Sequence, residues 1–255
     1  MELLVGASTL RQRIEGLYAQ LLSAYGPQGW WPLSSRAGKR GFDARGYHPN
    51  AYGHPRTAEG RFEIVTGAIL TQNSAWTNAE SALDRLRNAG IRLPSDVRSC
   101  ARGRLARLIR SSGYFNQKAR KLKEVAGLFH AAGSLAGGAA PSRGELLSCW
   151  GIGPETADSI LLYAFHVPSF VVDAYTRRLL GRTGIIGDAR QYGYDDIQRI
   201  FHDALPENHE LFNEYHALIV EHAKRHCRAT PVCSGCPVLV CRYRDSTRPS
   251  RRSAP

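Results

Sequence analysis

The chain has 255 residues, 34 of them Lys or Arg against 22 Asp or Glu, for a formal charge of +12. That length holds one large core or two modest ones, and the excess of cations favours a polyanionic partner. No apolar run approaches the roughly 20 residues that span a bilayer, and the N-terminus lacks the basic-then-apolar pattern of a leader, so a cytoplasmic protein with no membrane partner is expected.

Residues 8–25 carry Leu10, Ile14, Leu17, Leu21 and Leu22 at helical spacing, with Ser8 placed to cap the helix. "GPQGWWP" follows, and then residues 33–60, a basic stretch rich in Gly, Pro and His without helical period. That stretch reads as a long surface insertion that orders on a partner. Helical patterns resume over residues 61–90, 101–111 and 116–132, and "GSLAGGAAPSRG" links them to a helix, a Gly-x-Gly turn and another helix. Further helical patterns cover 193–204 and 207–226, ahead of a cysteine cluster and a basic tail read as disordered. No alternation is long enough for a sheet, so the expected fold is all-α.

Three features carry chemistry. Gly151 and Gly153 of "CWGIGPETADSILLYAF" permit a tight turn and close backbone approach, and Pro154 starts the next helix. Two helices around such a turn grip a DNA backbone without reading bases, with Ile152 and Thr156 completing the contact set. Asp173 follows Val171 and Val172 at the start of a helix, where an Asp is a good N-cap. One helix and a return also bring it back towards the turn, and a carboxylate there stabilises a sugar cation or activates water. Cys227, Cys233, Cys236 and Cys241 run C-x5-C-x2-C-x4-C. Four thiols within fifteen residues suit a tetrahedral zinc or a [4Fe–4S] cluster. Cys100 and Cys149 read as small buried hydrophobes.

These segments together resemble the endonuclease III branch of the helix–hairpin–helix DNA glycosylases, over roughly Phe62–Cys241. "FEIVTGAILTQNSAW" and "IRSSGYFNQKARKL" add to the likeness. The resemblance implies two helical domains flanking a DNA-binding cleft. Residues 61–185 would form a six-helix barrel with the hairpin, and residues 186–255 a cluster domain, against which residues 1–60 pack. It favours [4Fe–4S] over zinc, although each outer cysteine gap is one residue shorter than the family's usual spacing. It makes Asp173 the essential aspartate and Gln72 the residue that fills the gap left by an extruded base. Position 155 is where bifunctional members carry a nucleophilic lysine, and here it is Glu155. A carboxylate cannot form the imine that leads to strand cleavage, so a lyase step through this position is not expected. Glu155 is otherwise a first-turn acid favoured by the helix dipole, or a neighbour of the cationic base or attacking water.

Within that branch the sequence looks most like bacterial 3-methyladenine glycosylases. An N3- or N7-alkylated purine is already cationic and leaves without a general acid, and an electron-rich aromatic wall suits it. Trp30 and Trp31 are the candidates for that pocket, with Trp76 and Trp150 behind them. The expected protein is therefore a monomeric, nucleoid-associated glycosylase acting on damaged duplex DNA. The alternatives are an endonuclease III-like enzyme for oxidised, deaminated or mismatched bases, and a non-catalytic cluster-bearing DNA-binding module.

Overall fold

The computed structural model describes residues 2–133, 135 and 139–247, and every regular element among them is helical. The chain divides into two units: residues 28–171 with 209–213, and residues 1–27, 172–208 and 214–255.

The larger unit is organised around α2 (Ala58–Leu70), whose Thr57 cap accepts the Gly60 N–H at 3.1 Å. From Phe62 to Leu70 only Glu63 is not buried, so this helix is apolar on almost every side and lies in the interior. α3 (Trp76–Asn88) and α6 (Phe115–Ala132) pack on it, and α4 (Pro94–Ser99) and α5 (Arg102–Leu108) pack in turn on α6. α3 turns Ala79, Ala82, Leu83 and Leu86 inwards, the one-sided stripe of an outer helix. α7 (Arg143–Ser148) begins at Ser142, which exchanges hydrogen bonds with Glu145 in a capping box. α8 (Pro154–Ser159) starts on Gly153 and Pro154 and runs into a π turn, Ile160–Ala164, that packs on α2.

Residues 28–60 group with these central helices. The segment expected to order only on a partner is folded into turns, with Leu33 and His48 buried. Two close backbone approaches need glycine. Gly46, at φ +87°, would put a Cβ 2.2 Å from the Leu33 carbonyl oxygen, and Gly29, just before the segment at φ +69°, would put one 2.3 Å from the Pro49 nitrogen. His48 bridges the loop, its Nε2 3.0 Å from the Trp31 carbonyl oxygen and its Nδ1 3.1 Å from that of Ala51.

The smaller unit joins α1 (Glu2–Tyr25), α9 (Ala174–Thr183), α10 (Tyr194–Ala204), most of α11 (His209–Arg225) and α12 (Arg242–Thr247). Helix α1 begins well before Ser8, so that residue is interior to the helix and not its cap. Ile14, Leu17 and Leu21 are buried, and the Tyr215 hydroxyl donates to the Ile14 carbonyl at 2.8 Å. Of the tail expected to be disordered, residues up to Thr247 belong to α12, and 248–255 lie outside the described residues. No described helix is long and apolar enough to cross a membrane.

Candidate functional site

In the larger unit the hairpin between α7 and α8 is braced from beneath. Asp158, with no exposed surface, accepts Arg143 Nε at 2.9 Å and Nη2 at 3.1 Å, and its Oδ1 also accepts the Ser169 hydroxyl at 2.8 Å. A bidentate guanidinium–carboxylate pair fixes the angle between the two helices as well as their separation. Gly151 is left-handed at φ +78°, and Gly153 caps α8 without a side chain, so no capping side chain stands over the first turn. Ile152 is buried at 6% exposure and Glu155 is exposed on the first turn.

Gln72, just past the end of α2, is drawn onto this hairpin. Its Nε2 donates to Thr156 Oγ1 at 2.8 Å and to the Gly151 carbonyl at 3.3 Å, while its Oε1 accepts Lys121 Nζ at 2.6 Å. Three residues earlier on α6, Lys118 is 1% exposed and donates to the Leu70 and Ser112 carbonyls at 2.7 and 2.6 Å. Burial, with Lys121 adding to it, lowers the pKa of Lys118 to about 8. This lysine ties the end of α2 to the turn before Tyr114, a residue 66% exposed at φ +44°. The sequence marks none of Lys118, Lys121 or Tyr114, because their significance lies in what they reach across the fold.

The two predicted tryptophans lie in an aromatic cluster. Trp30 has ring centroids 5.5 Å from Trp31, 6.3 Å from Trp76 and Tyr163, and 6.5 Å from Tyr47. Trp31 is 5.4 Å from Trp76 and 5.3 Å from Tyr163, and its indole lies over Gly67, where a Cβ would come within 3.2 Å of the ring. Trp31 and Tyr163 are buried, and Trp30 is half-buried. Asn213 donates its amide to the Trp30 carbonyl at 2.8 Å, and its own Oδ1 is buried without a hydrogen-bond partner. Trp150 takes no part: it is 41% exposed beside the hairpin, with the Arg120 guanidinium 4.0 Å over its ring.

In the smaller unit Asp173 caps α9. Its Oδ1 accepts the Thr176 N–H at 2.7 Å and hydroxyl at 2.9 Å, while Oδ2 stands 3.6 Å from His216 Nε2. Burial pushes the carboxyl pKa up, but His216 and the two Thr176 donors outweigh it, and the net position is below the usual aspartate value. Asp173 is thus a carboxylate favoured as an anion, largely buried, with Thr176 and His216 as its neighbours.

Cys227, Cys233, Cys236 and Cys241 line one cavity, enclosed by Leu179, Arg182, His222, Val238 and Tyr243. Arg182 Nη1 donates to Cys227 Sγ at 3.3 Å, and Arg178 Nε to the Cys227 carbonyl at 2.7 Å. Among the described residues no three His, Cys, Asp or Glu side chains are grouped so as to hold a single metal ion. Four thiols lining one cavity, with a guanidinium on one sulfur, are a donor set whose chemistry fits an anionic iron–sulfur cluster. Cys100 is buried, as expected; Cys149 is only partly so.

A family profile described as "HhH-GPD superfamily base excision DNA repair protein" matches residues 66–207. The chain is 39% identical to "Putative DNA repair glycosylase MJ1434" of Methanocaldococcus jannaschii, over 89% of this chain and 94% of that protein. Its fold resembles a non-covalent endonuclease III–DNA complex, with a TM-score of 0.72 at 21% identity, covering 92% of this chain and 97% of the other. It is also similar to the 3-methyladenine DNA glycosylase MagIII of H. pylori bound to 1,N6-ethenoadenine, at TM-score 0.63 and 26% identity over 83% and 97% of the two chains. With all-helical architecture, hairpin and similarity in agreement, the chain belongs to the HhH-GPD superfamily of base excision DNA repair glycosylases, on its endonuclease III branch.

Proposed function

We propose that this glycosylase is monofunctional and removes alkylated, 3-methyladenine-type purines from duplex DNA, leaving an abasic site in an unbroken strand. The observation that carries the reading is the Trp30-centred aromatic cluster, with the unpartnered Asn213 Oδ1 beside it. Electron-rich ring faces attract a cation by about 0.5–2 kcal/mol each, and an N3- or N7-alkylated purine is a flat cation. A buried acceptor next to the cluster suits the exocyclic amine of a purine, which is a donor. The similarity to a 3-methyladenine glycosylase, over most of both chains, supports the same substrate class.

The chemistry then needs little from the protein. The bond between C1′ and the base nitrogen breaks heterolytically, its electron pair going to the base, which leaves neutral because it began cationic. The positive charge appears on the sugar as an oxocarbenium ion, and the Asp173 carboxylate stabilises it through space. Water adds to C1′ and sheds a proton, giving the abasic sugar. The hairpin and Gln72 hold the backbone and fill the gap left by the extruded base. Glu155, where an amine would be required for an imine, offers a carboxylate instead, so the strand stays whole. The four cysteines would carry a [4Fe–4S] cluster, which supplies a cross-link that shapes the terminal loop.

The test is a duplex carrying 7-methylguanine or 3-methyladenine, incubated with enzyme and then divided between hot alkali and neutral buffer. Free base together with strand breaks only after alkali is the expected result. Breaks without alkali refute the monofunctional reading, and no release from any alkylated duplex refutes the substrate class. A parallel panel of oxidised, deaminated and mismatched duplexes identifies the substrate in that event.

A further inference from the structure

Gln72 is the residue that must leave the protein surface for the DNA gap, yet it is tied down by three hydrogen bonds to three different elements. The strongest of these comes from Lys121, an ammonium on a neutral amide. The lysine stem crosses the hairpin itself. A Cβ on Gly151 would lie 2.4 Å from Lys121 Cε and 3.1 Å from Cδ and Cγ, so the glycine is what admits the side chain. Lys121 is half-buried, and burial lowers its pKa. It makes no ion pair among the described residues, and Gln72 uses only one of its three N–H bonds. An ammonium lying across a DNA-gripping turn, with donors to spare and only an amide for a partner, is better satisfied by a phosphate.

We propose that Lys121 is a positioning residue that holds Gln72 against the hairpin in the free protein and releases it by transferring to a backbone phosphate when DNA binds. Grip and insertion are then coupled: Gln72 is withdrawn on bare protein, and freed only where a phosphate occupies the turn. Lys121 therefore has two opposing effects, slowing insertion by its bond to Gln72 and strengthening binding by its bond to phosphate. The inference rests on the role given to the hairpin and Gln72 in the proposed function.

The experiment compares wild type, Lys121→Met, Lys121→Arg and Gln72→Ala on duplexes with a stable abasic-site analogue and on matched intact duplexes. Affinity is measured across a salt series, and stopped-flow fluorescence of 2-aminopurine beside the lesion follows gap filling. Lys121→Met should reduce the slope of log affinity against log salt by about 0.9, the worth of one phosphate contact. It should also accelerate gap filling by about tenfold, while Lys121→Arg restores the salt slope. A merely structural lysine would give weaker binding and slower gap filling with the slope unchanged, and that result overturns the proposal. Gln72→Ala should weaken the abasic duplex more than the intact one. If it does not, the assigned role of Gln72 fails first; if it does and the Lys121→Met slope is unchanged, only the Lys121 coupling fails.

Discussion

Replacing Asp173 by Asn separates its two roles, because Asn and Asp are nearly equal as N-caps. The Oδ1 that accepts the Thr176 N–H and hydroxyl survives the substitution, so α9 keeps its start. What is lost is the charge, worth about 0.3–1 kcal/mol at a helix N-terminus, together with its attraction to His216 at 3.6 Å. A loss near 1 kcal/mol lowers Tm by about 2–4 °C in a protein of this size. The chemical step suffers far more. A carboxylate about 4 Å from a developing sugar cation, at an effective dielectric near 20, contributes about 4 kcal/mol, or roughly a thousandfold in rate. Single-turnover release from a 7-methylguanine duplex, with thermal unfolding measured alongside, reads both quantities. A folded Asp173→Asn enzyme that releases base within tenfold of wild type would refute the assignment. The sign with pH also follows. The folded carboxyl titrates below its unfolded value, so the stability it contributes is present above about pH 3.9 and fades as pH falls through the folded pKa.

Glu155→Lys should introduce an amine at the first turn of α8 and yield a borohydride-trapped enzyme–DNA adduct; absence of any trapped species refutes the role given to this position. Arg143→Met leaves Asp158 buried without its guanidinium and should cost about 3–5 kcal/mol of stability in denaturant titrations, with an effect under about 1 kcal/mol excluding the brace. Lys118→Met orphans the Leu70 and Ser112 carbonyls and should destabilise by about 1–3 kcal/mol at neutral pH. Its folded pKa of about 8 lies below the ordinary lysine value, so between about pH 8 and 10.5 the unfolded chain holds more protons and wild-type stability rises relative to the variant. A gap that narrows over that range contradicts the burial argument. With the proposed [4Fe–4S] cluster on the four cysteines, the purified protein should absorb in the visible and Cys233→Ser should remove that absorption; a colourless wild type, or absorption unchanged in the variant, refutes the cluster assignment.

Local rules were enough for most of the helices and for the motif, but they missed α4 and α12 and misplaced the start of α1. Helical periodicity, Gly and Pro placement and the cysteine spacing are properties of neighbours in sequence, and they marked the helices, the hairpin turn, Asp173 as a cap and the thiol loop. Their order along the chain pointed to the family. The loop at 33–60 misled, because its Gly-rich composition is that of a mobile segment, whereas at Gly46 the glycine lets the backbone close on Leu33. Side chains that act at a distance in sequence were equally hidden. Lys121 meets Gln72 from 49 residues away, Asn213 reaches Trp30 from 183 away, and Tyr163 joins Trp30 and Trp31 through the packing of the π turn. Hydrogen bonds and ring contacts form between surfaces that only the folded chain brings together, so the sequence by itself determined which helices and motifs exist, and the tertiary structure decided which side chains they bring into reach of one another.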